Sequence, residues 1–161
     1  MAKDRVITEV GVDSGADNGK VPVYNSTTKV FDMTTPSGGS PTVKNGVATY
    51  AIATASGTQT IAHGLGSVPK YVKLDVTLWN NNTGVLYFSF GTYNGTTNSS
   101  IYGSSSFGAG NSSTNGVSMY VTSTSSGATG VITVDSTNIT ITWTKVGTPD
   151  AATANILWSV F

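Results

Sequence analysis

The sequence has no cysteine, one histidine and few charged residues. Of its 161 residues only 10% are Asp, Glu, Lys or Arg, and acids and bases are equal in number. Without cysteine, disulfides and thiolate metal sites are excluded. Because net charge is zero and lysine and arginine form no basic patch, we expect neither a nucleic-acid partner nor an anionic membrane partner.

Long apolar runs are also missing. No stretch approaches 18 consecutive apolar residues, so no membrane-spanning helix is predicted. The charged first residues are not followed by the apolar run of a signal peptide, and we expect a complete chain made in a cytoplasm. Such low charge threatens the solubility of a free monomer. Either a surface of Ser, Thr, Asn and Gly or burial in an assembly resolves that problem, and both interpretations stay open.

No segment shows the 3.6-residue apolar period of a helix, whereas short alternating segments recur from residue 42 onward. The clearest is 71–79, in which Val72, Leu74, Val76 and Leu78 point one way. Further apolar faces are predicted for residues 86, 88 and 90, for residues 117, 119 and 121, and for residues 139, 141 and 143. A hairpin turn is predicted at residues 135–137. The predicted strands are 47–53, 58–62, 71–79, 85–90, 117–122, 131–134, 138–145 and 155–161.

About eight short strands separated by turn residues predict an all-β fold, namely an antiparallel β-sandwich of jelly-roll type over residues 42–161. The polar stretch 92–116 is predicted to be a long loop. A loop of that length inside a compact domain is functional, disordered or packed on a neighbour, and we expect it to be the place for adaptable surface recognition.

The first 36 residues differ in texture from the rest. They hold nine of the sixteen charged residues, and their apolar residues come in short bursts separated by turn residues. We predict an N-terminal attachment arm, 1–36, that orders against another subunit or another protein; a flexible polar tail is the alternative. The run 37–41, rich in Gly and Ser, is the predicted linker. The candidate attachment residues are Val6, Ile7, Val21, Val23, Tyr24 and Phe31.

A corner rich in glycine connects the predicted strands 58–62 and 71–79. It contains His63, Gly64, Gly66 and Pro69, of which the glycines tolerate positive φ and the proline fixes φ. His63 has no second histidine, cysteine or carboxylate cluster beside it, so we interpret it as a hydrogen-bonded structural residue. A phosphate-binding loop would lead into a helix, and here a strand follows.

Carboxylates are too sparse to predict an enzyme. Between residues 42 and 146 the only acids are Asp75 and Asp135, which are more readily explained as solvated residues than as a glycosidase pair. We therefore expect no catalytic residues, no metal and no cofactor.

Aromatic and amide side chains predict a recognition surface instead, since aromatics supply contact area and small polar residues supply adaptable hydrogen bonds. The alternative is that Trp79 closes an edge of the core and the asparagines after it form a turn. The candidate ligand or partner residues are Trp79, Asn81, Tyr93, Asn94, Tyr102 and Phe107.

Two segments carry a family resemblance. Residues 61–72, IAHGLGSVPKYV, resemble an I-x-H-G-L-G-x-x-P-x-x-V corner of β-sandwich modules in tailed-bacteriophage virion proteins. Residues 17–31, DNGKVPVYNSTTKVF, resemble the D-G-K-V-x-V-Y-x-S-T-T-x-K-F phrase of phage fibre connectors. The two matches cover about 27 residues, and the remainder is similar only in texture.

The resemblance implies a non-enzymatic virion protein, commonly a homotrimer whose N-terminal part attaches to the particle. At 161 residues the chain is short for a tail fibre with a separate shaft. A capsid decoration or head-fibre protein is therefore the first expectation, with the arm bound to the major capsid protein or another virion protein. A tail-fibre or adhesin module that binds host-surface glycans is the alternative.

Overall fold

The computed structural model describes residues 21–34, 42–106, 108–123 and 125–161. The chain divides into two compact units, Met1–Ser40 and Pro41–Phe161. The predicted linker 37–41 and the candidate attachment residues Val6 and Ile7 lie outside the described residues, so the predicted domain bounds stay a prediction.

In the first unit, β1 (Val21–Asn25) and β2 (Val30–Thr34) form an antiparallel hairpin. The Asn25 side chain closes the turn, because its Oδ1 accepts hydrogen bonds from the backbone N–H groups of Thr27 at 3.0 Å and Thr28 at 3.2 Å. Lys29 adopts a positive φ of 60° and donates its N–H to Asn25 O. The turn predicted in this segment is confirmed. Val21, Val23 and Phe31 lie in these strands, and Tyr24 is exposed.

In the second unit, the described residues form two antiparallel sheets. The four-stranded sheet has the order β4-β11-β10-β9, and the six-stranded sheet has the order β3-β12-β5-β6-β7-β8. The strands are β3 (Lys44–Ala51), β4 (Gly57–Ala62), β5 (Val72–Asn80), β6 (Val85–Tyr93), β7 (Asn98–Ser104), β8 (Gly110–Ser112), β9 (Val117–Ser123), β10 (Ser126–Val134), β11 (Asn138–Val146) and β12 (Thr153–Val160).

The fold prediction is confirmed: these residues form an all-β sandwich without helix. The arrangement is jelly-roll-like because the first strands of the sandwich pair with the last ones. β3 and β4 lie in opposite sheets, and their partners are the two final strands, β12 and β11. All eight strands predicted from residue 47 onward are present, with bounds that differ by a few residues.

The prediction of a loop over 92–116 is wrong. β6 extends to Tyr93, and the strands β7 and β8 occupy ten of the residues that follow it. The inward positions of β7 include Asn98 and Ser100, which are buried although polar. Because these positions lack apolar residues, the alternation that reveals the other strands is missing here.

The core lies between the two sheets. Inward residues of β5, β11 and β12 are almost completely buried, and burial of each aliphatic side chain contributes about 1.5–3 kcal/mol. Trp143 stacks on Tyr50 of the other sheet, with ring centroids 3.9 Å apart, and donates its indole N–H to Gln59 Oε1 at 3.0 Å. These two contacts bring β11, β4 and β3 together at one end of the sandwich.

A row of polar contacts joins the sheets along β9, the edge strand of the four-stranded sheet. Ser118 N donates to Ser89 Oγ at 3.1 Å, and the Tyr87 hydroxyl donates to the carbonyl of Val121. Next to these contacts the backbones of Gly91 and Gly116 approach so closely that a Cβ on Gly91 would lie 1.6 Å from Gly116 O. The edge of β9 is therefore bound by the other sheet instead of being left open.

Candidate interaction surfaces

The corner around His63 connects the two sheets. β4 belongs to the four-stranded sheet and β5 to the six-stranded sheet, so the chain crosses the sandwich between them. His63 is buried; its Nδ1 accepts the Leu65 N–H at 3.1 Å, and its Nε2 lies 3.1 Å from the carbonyl oxygen of Asp135. Since Nδ1 is the acceptor, the proton must be on Nε2. His63 is the hydrogen-bonded structural residue that the sequence predicts.

Backbone geometry completes this corner. Gly64 and Gly66 have φ angles of 63° and 76°, which residues with a Cβ rarely adopt. Pro69 is buried. Lys70 N donates to Phe161 O at 2.8 Å and so connects the end of the corner to the residue after β12. All four candidate corner residues thus lie together, in a structural setting.

Trp79 and Asn81 lie together at one end of the six-stranded sheet. Trp79 is 55% exposed on the outward side of β5, opposite Leu86, so it does not close an edge of the core. Asn81 is exposed in the turn that follows, in which Gly84 N donates to Asn80 O at 2.8 Å. The asparagine run is therefore a turn, as one interpretation of the sequence expects.

The other candidate recognition residues lie elsewhere. Tyr93 ends β6 and Asn94 follows it, about 25 Å from Trp79 at about 3.3 Å per residue. The Tyr93 hydroxyl donates to Gly95 O, and Asn94 Oδ1 accepts from Thr97 N, so both side chains stabilise their own turn. Tyr102 packs against Tyr120 of β9, with centroids 5.1 Å apart. Phe107 lies outside the described residues, and the others do not form one surface.

The outward side of the six-stranded sheet carries an apolar row that is not among the candidate sites named from the sequence. The register places one residue of each strand side by side, in the order Val47, Leu157, Asp75, Phe90, Ile101 and Asn111. Four of these are apolar and at least half exposed: Val47 is 69%, Leu157 53%, Phe90 50% and Ile101 58% accessible. We call this side of the sheet the outer apolar face.

The signal for this face is present in β6, where apolar residues occupy both sides. Leu86, Phe88 and Phe90 share a side, as predicted, but that side is the outer one. The core side of the same strand carries Val85 and Tyr87. A strand that is apolar on both sides and has only one side in the core predicts a second contact surface.

One ion pair lies within the outer apolar face. Lys73 Nζ donates to Asp75 Oδ2 at 2.8 Å, and both side chains are partly exposed. The other carboxylate oxygen, Asp75 Oδ1, is shielded from solvent and accepts no hydrogen bond from the residues that the structure describes. Beside this pair a depression of about 460 Å³ opens, with Phe90, Ile101 and Asn111 on its walls.

The described residues contain no group of three His, Cys, Asp or Glu side chains placed to hold a metal ion. Asp75 lies on the six-stranded sheet, whereas Asp135 lies in the β10–β11 turn of the other sheet. Hydrogen bonds from Thr137 and Asn138 lower the pKa of Asp135 to about 2. Across the described ranges, no helix has the length and apolar character needed to span a membrane.

No protein-family model, curated protein or solved structure matches this chain.

Proposed function

We propose that this chain is a non-enzymatic structural protein of a tailed-bacteriophage virion, most specifically a capsid decoration or head-fibre protein. In this proposal the arm 1–36 binds the major capsid protein or another virion protein, and the β-sandwich projects outward as part of a homotrimer. The two segments that resemble virion proteins support it. One of them is the corner between the sheets, and the other contains β1, the turn after it and the start of β2.

The single observation that carries the proposal is the division of the chain into two units. The hairpin belongs to one unit, whereas the core cluster belongs entirely to the other. A two-stranded hairpin buries too little surface to be stable alone, so an arm of this kind gains order from a binding partner. In the proposal one unit, the arm, attaches to the particle, and the other unit, the sandwich, projects from it.

The chemistry of the titratable side chains supports a structural role over a catalytic one. The single histidine has both ring nitrogens engaged in the corner. The Asp135 carboxylate is occupied by its own turn, and Asp75 is paired with Lys73. General acid–base catalysis needs titratable groups directed together at a substrate, and the described residues direct none in that way.

Deletion of residues 1–36 tests the attachment arm. Particles of the encoding phage that lack this protein are incubated with the full chain or with the deleted chain, and bound protein is measured after sedimentation. We expect the deleted chain to keep the far-UV circular dichroism of a β-sandwich and to lose particle binding. The full chain with Val131→Lys, an exposed substitution on the sandwich, should bind normally. A deleted chain that still decorates particles would contradict the proposal.

A second candidate function is recognition of host-surface glycans by a tail-fibre or adhesin-type module. It is favoured by the exposed indole of Trp79 beside the amide of Asn81, a combination suited to sugar binding. A glycan array is the test, with Trp79→Ala as the variant and Val131→Ala as the matched control. Binding that is lost only in Trp79→Ala supports this function, and no binding by intact protein counts against it.

A further inference from the structure

We propose that the outer apolar face is the surface through which copies of this chain pack against one another, around an axis that runs alongside β5. The inference rests on the self-association in the proposed function and adds the surface that performs it. Its occupant is another copy of the same chain.

The two outward sides of the sandwich differ sharply in composition. On the four-stranded sheet the outward residues of β4, β10 and β11 are mainly threonines, and Val131, at 39%, is the one exposed large apolar residue among those that the structure describes in its strands. On the six-stranded sheet the corresponding positions include the four apolar residues of the row and Leu86 and Trp79. Apolar side chains in adjacent strands form one continuous patch of the kind that marks a protein interface.

The register makes this patch complementary to itself. β12 and β6 flank β5, and β3 and β7 lie one strand further out. A rotation about an axis parallel to β5 therefore brings the β3 side of one copy to the β7 side of the next. Val47 of each copy then meets Ile101 of its neighbour, and Leu157 lies on the side that faces Phe90.

The area of the face suits a stable assembly. Six strands about 4.8 Å apart, with eight or nine residues at about 3.3 Å each in the longest, give a face of roughly 700 Å². Stable interfaces bury roughly 800 Å² on each partner. One face is thus close to what a specific contact between copies requires.

Charge on the face also fits a second copy. With no net charge on the chain, two copies have no overall repulsion to overcome. The face holds one base and one acid side by side, Lys73 and Asp75, so each copy presents both signs.

Molar mass by light scattering tests the inference on the full chain. We expect the wild type to show three times the 16.5 kDa chain mass. Ile101→Lys and Leu157→Lys should fall to the single-chain mass with unchanged circular dichroism, because both side chains point away from the core. Val131→Lys, the matched change on the other sheet, should keep the wild-type mass. A monomeric wild type, or an assembly that survives both lysine variants, overturns the inference.

Cysteine cross-linking identifies the neighbours, with no background because the chain has no cysteine of its own. The double variant Val47→Cys, Ile101→Cys should form intermolecular disulfides on oxidation up to a three-chain species, whereas each single variant should not. No cross-link in a confirmed oligomer overturns the inference. Cross-linking that stops at two chains supports the surface and contradicts the homotrimer. Attachment to the particle is tested separately, by the arm deletion.

Discussion

The side chain of Asn98 binds both backbone groups of Ile132, in the opposite sheet. Asn98 Oδ1 accepts the Ile132 N–H at 2.8 Å, and Asn98 Nδ2 donates to the Ile132 carbonyl at 3.0 Å, in a buried setting. Pairing between β9 and β10 ends at Val117 and Gly130, before it reaches Ile132. An amide from the other sheet therefore takes the place of a missing strand partner.

Removal of this amide should be strongly destabilising. Asn98→Ala leaves a buried N–H and a buried C=O without partners, and each orphaned group costs about 1–3 kcal/mol. We expect a loss of about 2–5 kcal/mol in the free energy of unfolding, measured by urea denaturation. Asn81→Ala, an exposed amide in the turn after β5, should change it by less than about 0.5 kcal/mol. Equal effects at the two positions would show that the Ile132 contacts contribute little.

His63 should hold a fixed tautomer with its proton on Nε2, because Nδ1 accepts the Leu65 N–H. Nitrogen-15 chemical shifts of the imidazole ring measure this directly. His63→Ala should lower the free energy of unfolding by about 1–3 kcal/mol, since it leaves Leu65 N and Asp135 O without their partner. A spectrum with the proton on Nδ1 would contradict the assigned hydrogen bonds.

Asp135 should make the fold sensitive to acid. Its pKa is lowered from 3.8 to about 2 by hydrogen bonds from Thr137 and Asn138, so the unfolded chain binds the proton more readily than the folded one. The stabilisation is complete above about pH 4 and is lost as pH falls through about 2. Carbon-13 titration of the carboxyl group should show that midpoint. Asp135→Asn should lose less stability than the wild type over this window, and an equal loss would assign the acid sensitivity to other groups.

Gly91 should tolerate no side chain. A Cβ there would lie 1.6 Å from Gly116 O, a backbone atom of the segment that leads into β9, so relief requires this segment to move away from β6. We expect Gly91→Ala to cost about 3 kcal/mol or more in the free energy of unfolding. Gly57→Ala is the matched control because its nearest neighbour would be 4.0 Å away. If both variants unfold at the same urea concentration, the close approach does not constrain the sandwich.

The strands that could be predicted from the sequence are those whose apolar residues alternate. β5 and β11 have this pattern, and the hairpin turn at Asp135 follows from its turn residues. β7 was not predicted because the side chains at its core positions are polar. They form hydrogen bonds with distant strands, as Asn98 does with Ile132. Such pairing is invisible to a local pattern, since it depends on which strands the fold brings together.

Among the candidate sites, the corner was predictable because glycine, proline and histidine act there through local geometry. The outer apolar face was not, since its row takes one residue from each of six strands that are far apart in the chain. The separation of Trp79 from Tyr93 has a similar origin. Both residues belong to the hairpin of β5 and β6, but Trp79 lies near its turn and Tyr93 at its open end.

The wrapped pairing of the first sandwich strands with the last has a consequence for synthesis on the ribosome. Among the described strands β3 pairs with β12 alone, and β12 begins roughly 100 residues after β3 ends. At about 5–20 residues per second, β3 waits about 5–20 seconds for its partner to be translated. Throughout that interval Val47 and its neighbours are available to nascent chains on the same messenger. The six-stranded sheet is therefore completed only after β12 has been translated.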